Sequence, residues 1–216
     1  MNFPDPPRRD HGPSRSPHAA GSLFMRIIAG KAGRIAIKVP TAVSRPTTDF
    51  VRQAIFSILG ESIQGARILD LFAGSGALGL EALSRGAASC TFVEENGKAT
   101  AVIGENLKKA RLQGGQIAKS DVSTFLKRDS SLYDVILADP PYYKHHGDKD
   151  HIGQLLSQEL IIPRLNPNGY FIAEISANQK TPDSPGLTLL ARREYGSSAI
   201  LIFELSASQP ISSTDH

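Results

Sequence analysis

Short apolar runs alternate with amphipathic segments from Gly65 onward. Each run ends in a glycine-rich or polar turn, and the segment after it carries apolar residues at helical spacing. This alternation is typical of βα units in a parallel sheet. The strands that it predicts are Arg67–Phe72, Ser89–Glu94, Gln116–Ser120, Tyr133–Ala138 and Gly169–Ile175. The helices that it predicts are Gly76–Arg85, Gly97–Leu112, Val122–Arg128 and Asp150–Leu165.

The pattern changes near the C-terminus. Leu187–Tyr195 and Ser198–Leu205 are two β-rich runs joined by a Tyr-Gly-Ser turn, which predicts an antiparallel hairpin instead of another βα unit. Together with the five earlier strands, the hairpin predicts an α/β fold with a mostly parallel, seven-stranded sheet.

Two smaller elements precede the βα units. Met25–Ile37 has two strand-like halves around a Gly-Lys-Ala-Gly turn, so we expect a small β-hairpin there. A helix is expected over Thr47–Leu59, with Thr48 or Asp49 as its N-cap.

The ends of the chain differ from the rest in composition. Residues 1–24 and 206–216 are polar and rich in proline or serine, and we expect both to be disordered tails. Between them we expect an N-terminal unit, residues 25–60, and a larger α/β domain, residues 61–205.

The net charge of +3 hides an uneven distribution. Residues 25–60 contain six basic side chains and one acid, whereas residues 61–205 contain 15 basic and 17 acidic side chains. A basic cluster can be a solvated surface, but beside a nucleotide-directed site it indicates contact with phosphates. The basic residues of the N-terminal unit are Arg26, Lys31, Arg34, Lys38, Arg45 and Arg52.

The single cysteine, Cys90, excludes an intramolecular disulfide and a CxxC zinc site. It lies in an apolar strand, where a buried structural thiol is expected. No uncharged apolar stretch reaches the roughly 18 residues of a membrane-spanning helix, and residues 1–24 have no signal-peptide core. These features favour a cytoplasmic protein without a membrane partner.

The segment Asp70–Gly79 (DLFAGSGALG) follows the first predicted strand and opens the first predicted helix. Its glycines permit a tight turn and let a ligand approach backbone N–H groups at a helix N-terminus. Gly74, Gly76 and Gly79 also fit the GxGxxG pattern of dinucleotide-binding proteins. Asp70 argues against a dinucleotide, because its carboxylate would face a pyrophosphate. It suits a ligand with an ammonium and a sulfonium group, such as S-adenosyl-L-methionine.

Two more acids stand at the ends of the second and third predicted strands. Glu94 occupies the place where a ribose-binding acid is expected. Asp121 can accept a hydrogen bond from an adenine amino group, or it can cap the helix that begins at Val122. The local sequence leaves both roles of Asp121 open.

The segment Asp139-Pro140-Pro141-Tyr142 ends the fourth predicted strand. Two prolines stiffen the backbone and free carbonyls from the ladder, so Asp139 and the Pro140 carbonyl can both act as acceptors in a site. An exocyclic amine needs two such acceptors to expose its lone pair for in-line attack on a sulfonium methyl. Asp139 can also take the departing proton, and Tyr142 offers a face on which a flipped base can stack.

Two adjacent histidines, His145 and His146, follow this segment. They lack a cysteine or a third histidine at metal-ligand spacing, and we expect no metal site. Together with Lys144 they can at most contact phosphates of a substrate.

In combination, these segments resemble the bacterial 16S ribosomal RNA guanine-N2 methyltransferases of the small-subunit methyltransferase D type, which are Rossmann-like class I methyltransferases. The resemblance runs from Met25 to Leu205. Its marks are Met25–Gly30, Arg45–Asp49 with Arg52 and Phe56, Asp70–Gly79, Phe92–Glu94, Asp139–Tyr142 and Tyr195-Gly196.

The resemblance implies a role for each motif. S-adenosyl-L-methionine is the implied cofactor, with its methionine part at the glycine segment, its ribose at Glu94 and its adenine at Asp121. The implied cofactor-binding residues are Asp70, Phe72, Ala73, Gly74, Gly76, Glu94, Asp121 and Val122. Those implied at the target base are Asp139, Pro140 and Tyr142, and those implied to bind RNA are Arg26, Lys31, Arg34 and Arg45. The implied partner is 16S rRNA or the small ribosomal subunit, and we expect a monomer.

Three other functions remain open at this point. The same chemistry could act on adenine N6 in DNA or on a protein amide, although the basic N-terminal unit favours a nucleic acid. The GxGxxG pattern could serve an NAD-dependent oxidoreductase, which would have no use for the Asp-Pro-Pro-Tyr segment. A non-catalytic RNA-binding module would not need Asp139.

Overall fold

The structure, a computed structural model, describes residues 24–40, 48–141 and 149–206. Its strands are β1 (Phe24–Arg26), β2 (Ala36–Lys38), β3 (Arg67–Leu71), β4 (Ser89–Glu94), β5 (Gly115–Lys119), β6 (Tyr133–Ala138), β7 (Leu165–Ser176), β8 (Leu187–Tyr195) and β9 (Ser198–Leu205). Its α-helices are α1 (Asp49–Leu59), α2 (Ala77–Ser84), α3 (Gly97–Ala110), α4 (Val122–Arg128) and α5 (His151–Ser157). Short 3-10 helices cover Gly60–Ile63 and Ile162–Arg164.

The main sheet has seven strands in the order β5-β4-β3-β6-β7-β9-β8. The first five strands in this order are parallel to one another. β9 runs antiparallel to both β7 and β8. This arrangement confirms the predicted Rossmann-like α/β fold with a C-terminal antiparallel hairpin. The carboxyl ends of the parallel strands meet at one edge of the sheet, where ligands bind in such folds.

Alternate residues of the strands enter two cores, one on each face of the sheet. On one face, Ile68, Phe92 and Leu137 pack with the apolar residues of β1, β2, α1, α2 and α3. We call this the N-terminal face. On the other, Leu69, Val93 and Ile136 pack with α4 and α5. The N-terminal unit therefore shares its core with the α/β domain.

The small N-terminal hairpin forms, but its strands are shorter than predicted. β1 and β2 pair over three residues each, and the connection from Ile27 to Ile35 is closed by its own backbone hydrogen bonds. Thr48 is the N-cap of α1, since its side chain accepts from the Val51 N–H.

The predicted helix Asp150–Leu165 is wrong beyond its first half. α5 ends at Ser157, Glu159 adopts a left-handed conformation with φ of 52°, and Leu165 already belongs to β7. The buried residues Leu155, Leu156, Ile161 and Leu165 imitate helical spacing although they lie on α5, on the connection that follows it and on β7. Pro163, which falls in the second 3-10 helix, could not donate a hydrogen bond within a longer α-helix.

Both predicted tails are one residue too long at their inner ends. Phe24 pairs with Lys38 in the small hairpin, and the Ser206 N–H donates to the Gly186 carbonyl at 3.0 Å. The remainder of each tail lies outside the described residues.

Candidate active site

Four acidic residues stand at the carboxyl ends of four neighbouring strands. Each follows by two positions a residue whose side chain packs on the N-terminal face, so the alternation of a strand directs all four side chains toward that face. Asp70 interacts electrostatically with both Asp139 and Glu94, in agreement with this placement. We call the four the carboxylate row; in sheet order they are Glu94, Asp70, Asp139 and Glu174.

The glycine segment after β3 bends sharply before α2 begins. Phe72, Gly74 and Gly76 all have positive φ, at 59°, 54° and 78°. The turn is closed by the Gly76 N–H, which donates to the Ala73 carbonyl at 2.7 Å. A Cβ on Gly79 would overlap the Phe92 ring and the Cys90 sulfur, so this glycine lets α2 pack directly on β4. The N-terminus of α2 therefore stands directly behind the turn.

Asp70 lies buried beneath this turn, with 1% of its surface exposed. One of its carboxylate oxygens accepts from the Gly79 N–H at 2.9 Å, in the first turn of α2, whose own N-cap is a glycine without a side-chain oxygen. Burial raises the pKa of Asp70 to about 8, the Gly79 hydrogen bond opposes that shift, and the charges of Asp139 and Glu94 add to it. A cationic ligand above the turn would favour the ionised form.

Asp70→Asn is expected to change how stability depends on pH. Because the folded pKa of about 8 lies above the ordinary aspartate value of 3.8, burial of Asp70 stabilises the fold fully below about pH 4. That contribution is lost as the pH rises through 8. We expect denaturant unfolding to show a smaller fall in stability between pH 5 and 8 in the variant, with the exposed Asp183→Asn as the control. Equal pH profiles for the variant and the wild-type protein would contradict the assignment.

Glu94 joins β4 to the glycine segment. Its two carboxylate oxygens accept from the Gly74 N–H and from the Asn96 N–H, each at 2.8 Å. An ionised carboxylate has about four lone-pair sites, so capacity remains for ligand hydroxyl groups.

The structure confirms the capping role of Asp121. Its side chain accepts from the Thr124 N–H at 2.8 Å at the start of α4, and Val122 beside it is buried. This backbone hydrogen bond is the main reason why the pKa of Asp121 is lowered, and the charge of His151 contributes in the same direction. Contact of Asp121 with an adenine stays a prediction.

Asp139 directly follows β6 and is half-buried. Pro140 and Pro141 line a cleft together with Glu174 of β7 and with Asp150 and His151 at the start of α5. The structure therefore brings the proline pair and the buried residue Glu174 to the border of one cleft. Tyr142, His145 and His146 lie outside the described residues.

Two features of this edge were missed by the sequence-based reasoning. His151 packs edge-on against Phe72 of the glycine segment, with ring centroids 5.2 Å apart. Tyr195 packs edge-on against Phe50, whose side chain is 67% exposed. The pairing of Tyr195 with Ser198, and of Ser198 with β7, brings the aromatic pair to the same edge of the sheet as the carboxylate row. Of the sequence motifs, only Tyr195-Gly196, one of the segments that carry the family resemblance, includes a residue of this contact.

The basic residues of the N-terminal unit that the structure describes do not all lie at the surface. Arg26, Lys31 and Arg34 are exposed, and Arg45 lies outside the described residues. Arg52 is fully buried, and its guanidinium donates to Asp49 and to the Arg26 carbonyl, each at 2.7 Å. Counting Arg52 with the surface cations was therefore wrong, because it joins α1 to β1 inside the core.

The connection between β1 and β2 is held against the far end of α2. Glu81 is fully buried, and its carboxylate accepts from the Ile28 and Ala29 N–H groups at 2.6 and 3.0 Å. The Lys31 N–H donates to the Ser84 carbonyl at 2.8 Å. α2 leads away from the glycine segment, and the Lys31 backbone contacts its far end. Lys31 therefore lies one helix length, roughly 12 Å, from the end of α2 that adjoins the carboxylate row.

Within residues 24–40, 48–141 and 149–206, no group of three or more His, Cys, Asp or Glu side chains is arranged to hold a metal ion. No helix in these ranges is long and apolar enough to cross a membrane.

Comparison with known proteins places this site in a family. The model of the family described as Conserved hypothetical protein 95 matches residues 25–204. The chain belongs to this family. The resemblance predicted from the motifs is thereby confirmed over almost the range expected.

The relatives carry methyltransferase names. The putative rRNA methyltransferase YlbH of Bacillus subtilis is 36% identical over 187 residues, which cover 83% of this chain and 98% of that protein. The ribosomal RNA small subunit methyltransferase D of Haemophilus influenzae is 32% identical, over 84% of this chain and 93% of its own length. The solved structure of the putative methyltransferase yhhF from Escherichia coli has 27% identity and a TM-score of 0.76, covering 86% of this chain and 100% of its own.

Proposed function

We propose that this chain transfers a methyl group from S-adenosyl-L-methionine to the exocyclic N2 of a guanine in 16S rRNA of the small ribosomal subunit. The observation that carries the proposal is Asp139-Pro140 at the end of β6, beside the glycine segment and within the carboxylate row. The names of the relatives, which refer to rRNA and to the small subunit, support the same substrate. We expect the chain to act as a monomer in the cytoplasm.

The residues around the glycine segment fit the proposed cofactor. Glu94 can accept from the two ribose hydroxyls, and the buried Asp70 supplies negative charge beneath an ammonium group. Phe72, Ala73, Gly74 and Gly76 would surround the methionine part, with Asp121 and Val122 at the adenine. The cofactor supplies an electrophilic methyl group when bound.

Asp139 and the Pro140 carbonyl would position the target amine. Both are acceptors, and two hydrogen bonds from the amine favour a pyramidal nitrogen whose lone pair points away from the ring. Once it carries the methyl group, the nitrogen bears a positive charge and must lose one of its own two protons. Asp139 can take that proton, a role in which a positioned carboxylate contributes about 10²- to 10⁴-fold. Tyr142 is proposed as the stacking face for the base.

Charge reversal at the proposed RNA-binding surface tests the substrate side. Arg34→Glu is expected to weaken RNA binding and to lower the slope of log affinity against log salt by about 1, because one phosphate contact is lost. Cofactor affinity should not change, since Arg34 is exposed and lies outside the carboxylate row. The matched control is the exposed Lys127→Glu on α4. An unchanged salt slope in Arg34→Glu would remove Arg34 from the RNA surface.

A panel of substrates separates this function from its rivals. Transfer of labelled methyl is measured with small-subunit particles, naked rRNA, duplex DNA and a protein extract. We expect the labelled methyl group to be recovered in RNA, with small-subunit particles or naked rRNA as the substrate. Label in DNA or protein would retain the chemistry but replace the substrate. Binding of NAD in preference to S-adenosylhomocysteine would overturn the proposal, and transfer to none of the four would favour an RNA-binding module.

A further inference from the structure

Glu174 is the last member of the carboxylate row. It lies on β7, one strand beyond Asp139, where the target amine is proposed to bind. Ala138 of β6 pairs with Ala173 of β7, so the next residues, Asp139 and Glu174, stand side by side. Neighbouring strands are about 4.8 Å apart, and both side chains are directed to the N-terminal face. Two carboxylates at this spacing can accept hydrogen bonds from two adjacent N–H groups of one ligand.

The surroundings of Glu174 match a ligand site. Glu174 is only 4% exposed, and the residue borders the cleft that Pro140 and Pro141 line. On β9 it stands opposite Ile200, and the exposed Phe50 and the half-buried Tyr195 lie at the same edge. A flat ring held at Asp139 through its amine would therefore extend across Glu174 toward an aromatic border.

We propose that Glu174 recognises guanine by accepting a hydrogen bond from its ring N1–H, while Asp139 accepts from the neighbouring N2 amine. This inference rests on the proposed function and adds a specificity residue to it. Guanine presents N1–H next to its exocyclic amine, whereas adenine presents a bare N1 acceptor next to N6. A carboxylate at Glu174 attracts the first edge and repels the second. The residue thus selects guanine over adenine within a site whose Asp-Pro-Pro segment suits either amine.

An isosteric substitution and a base analogue test this assignment together. Small-subunit particles are reconstituted with 2,6-diaminopurine at the position that the wild-type protein methylates. This analogue keeps the N2 amine but has an unprotonated N1. We expect the wild-type protein to methylate guanine about 100-fold faster than the analogue, and Glu174→Gln to lower the guanine rate about 100-fold. The rate on the analogue should not fall, because the Gln amide can donate to its N1.

The controls separate loss of recognition from loss of structure. Glu174→Gln should keep the wild-type melting temperature and affinity for S-adenosylhomocysteine. Glu204→Gln, at the other end of the sheet on β9, should retain the wild-type ratio of the two rates. A Glu174→Gln variant that keeps the wild-type ratio overturns the inference. If the wild-type protein places no methyl on guanine N2, it is the proposed function that fails.

Discussion

Asp139→Ala is expected to lower the rate of methyl transfer about 10³-fold while binding of S-adenosylhomocysteine is retained. The loss follows from removing both an acceptor for the target amine and the group that takes its proton. Asp139 is half-buried directly after β6, whereas the Gly74 and Gly79 N–H groups of the glycine segment donate to Glu94 and Asp70, so the cofactor region should keep its form. Single-turnover transfer and calorimetric binding measure the two effects separately.

Asp139→Asn separates the two roles of Asp139, which are to accept a hydrogen bond from the target amine and to take its proton. The amide oxygen can still accept from the amine but does not take the proton, so we expect a rate between those of the wild-type and alanine proteins. The exposed Asp183→Ala serves as the control and should leave both measurements unchanged. Equal losses of cofactor binding and transfer in Asp139→Ala would show that Asp139 supports the cofactor region instead of the reaction.

Glu81→Gln is expected to destabilise the protein by about 3 kcal/mol, because it breaks a buried, charge-assisted set of hydrogen bonds. The carboxylate accepts from the Ile28 and Ala29 N–H groups and from Arg85, whose Nε lies at 2.6 Å. An amide nitrogen in place of one oxygen would face donors. Denaturant unfolding measures the loss, and hydrogen exchange should show that protection falls most between residues 27 and 35.

The exposed Glu61→Gln, in the 3-10 helix after α1, is the matched control. It should change stability by less than about 0.5 kcal/mol. A Glu81→Gln protein as stable as this control would show that the connection between β1 and β2 is held by its apolar contacts alone.

The strands and the glycine segment could be predicted because local pattern and tertiary context agree there. Apolar runs such as Tyr133–Ala138 are buried on both faces, and the turn at Gly74 and Gly76 needs positive φ. The region 150–165 could not be predicted in the same way. There, buried residues of α5, of the connection after it and of β7 share helical spacing, and the chain reversal at Glu159 has no glycine to mark it.

The residues of the candidate site also differ in whether the local sequence predicts them. Glu94, Asp121 and Asp139 could be predicted because each ends or directly follows a predicted strand, and Asp70 because it opens the glycine segment. Glu174 could not, since it lies inside an apolar strand and gains its meaning only from the pairing of Ala138 with Ala173. Arg52 was misjudged because burial depends on how α1 packs on β1, which its sequence neighbours do not reveal.

Whether the chain methylates guanine N2 is decided by nucleoside analysis of 16S rRNA after small-subunit particles react with labelled S-adenosyl-L-methionine and the purified chain. We predict that the label is recovered as N2-methylguanosine and is absent when Asp139→Ala replaces the wild-type protein. Label recovered as N6-methyladenosine, or label that persists with Asp139→Ala, would contradict it.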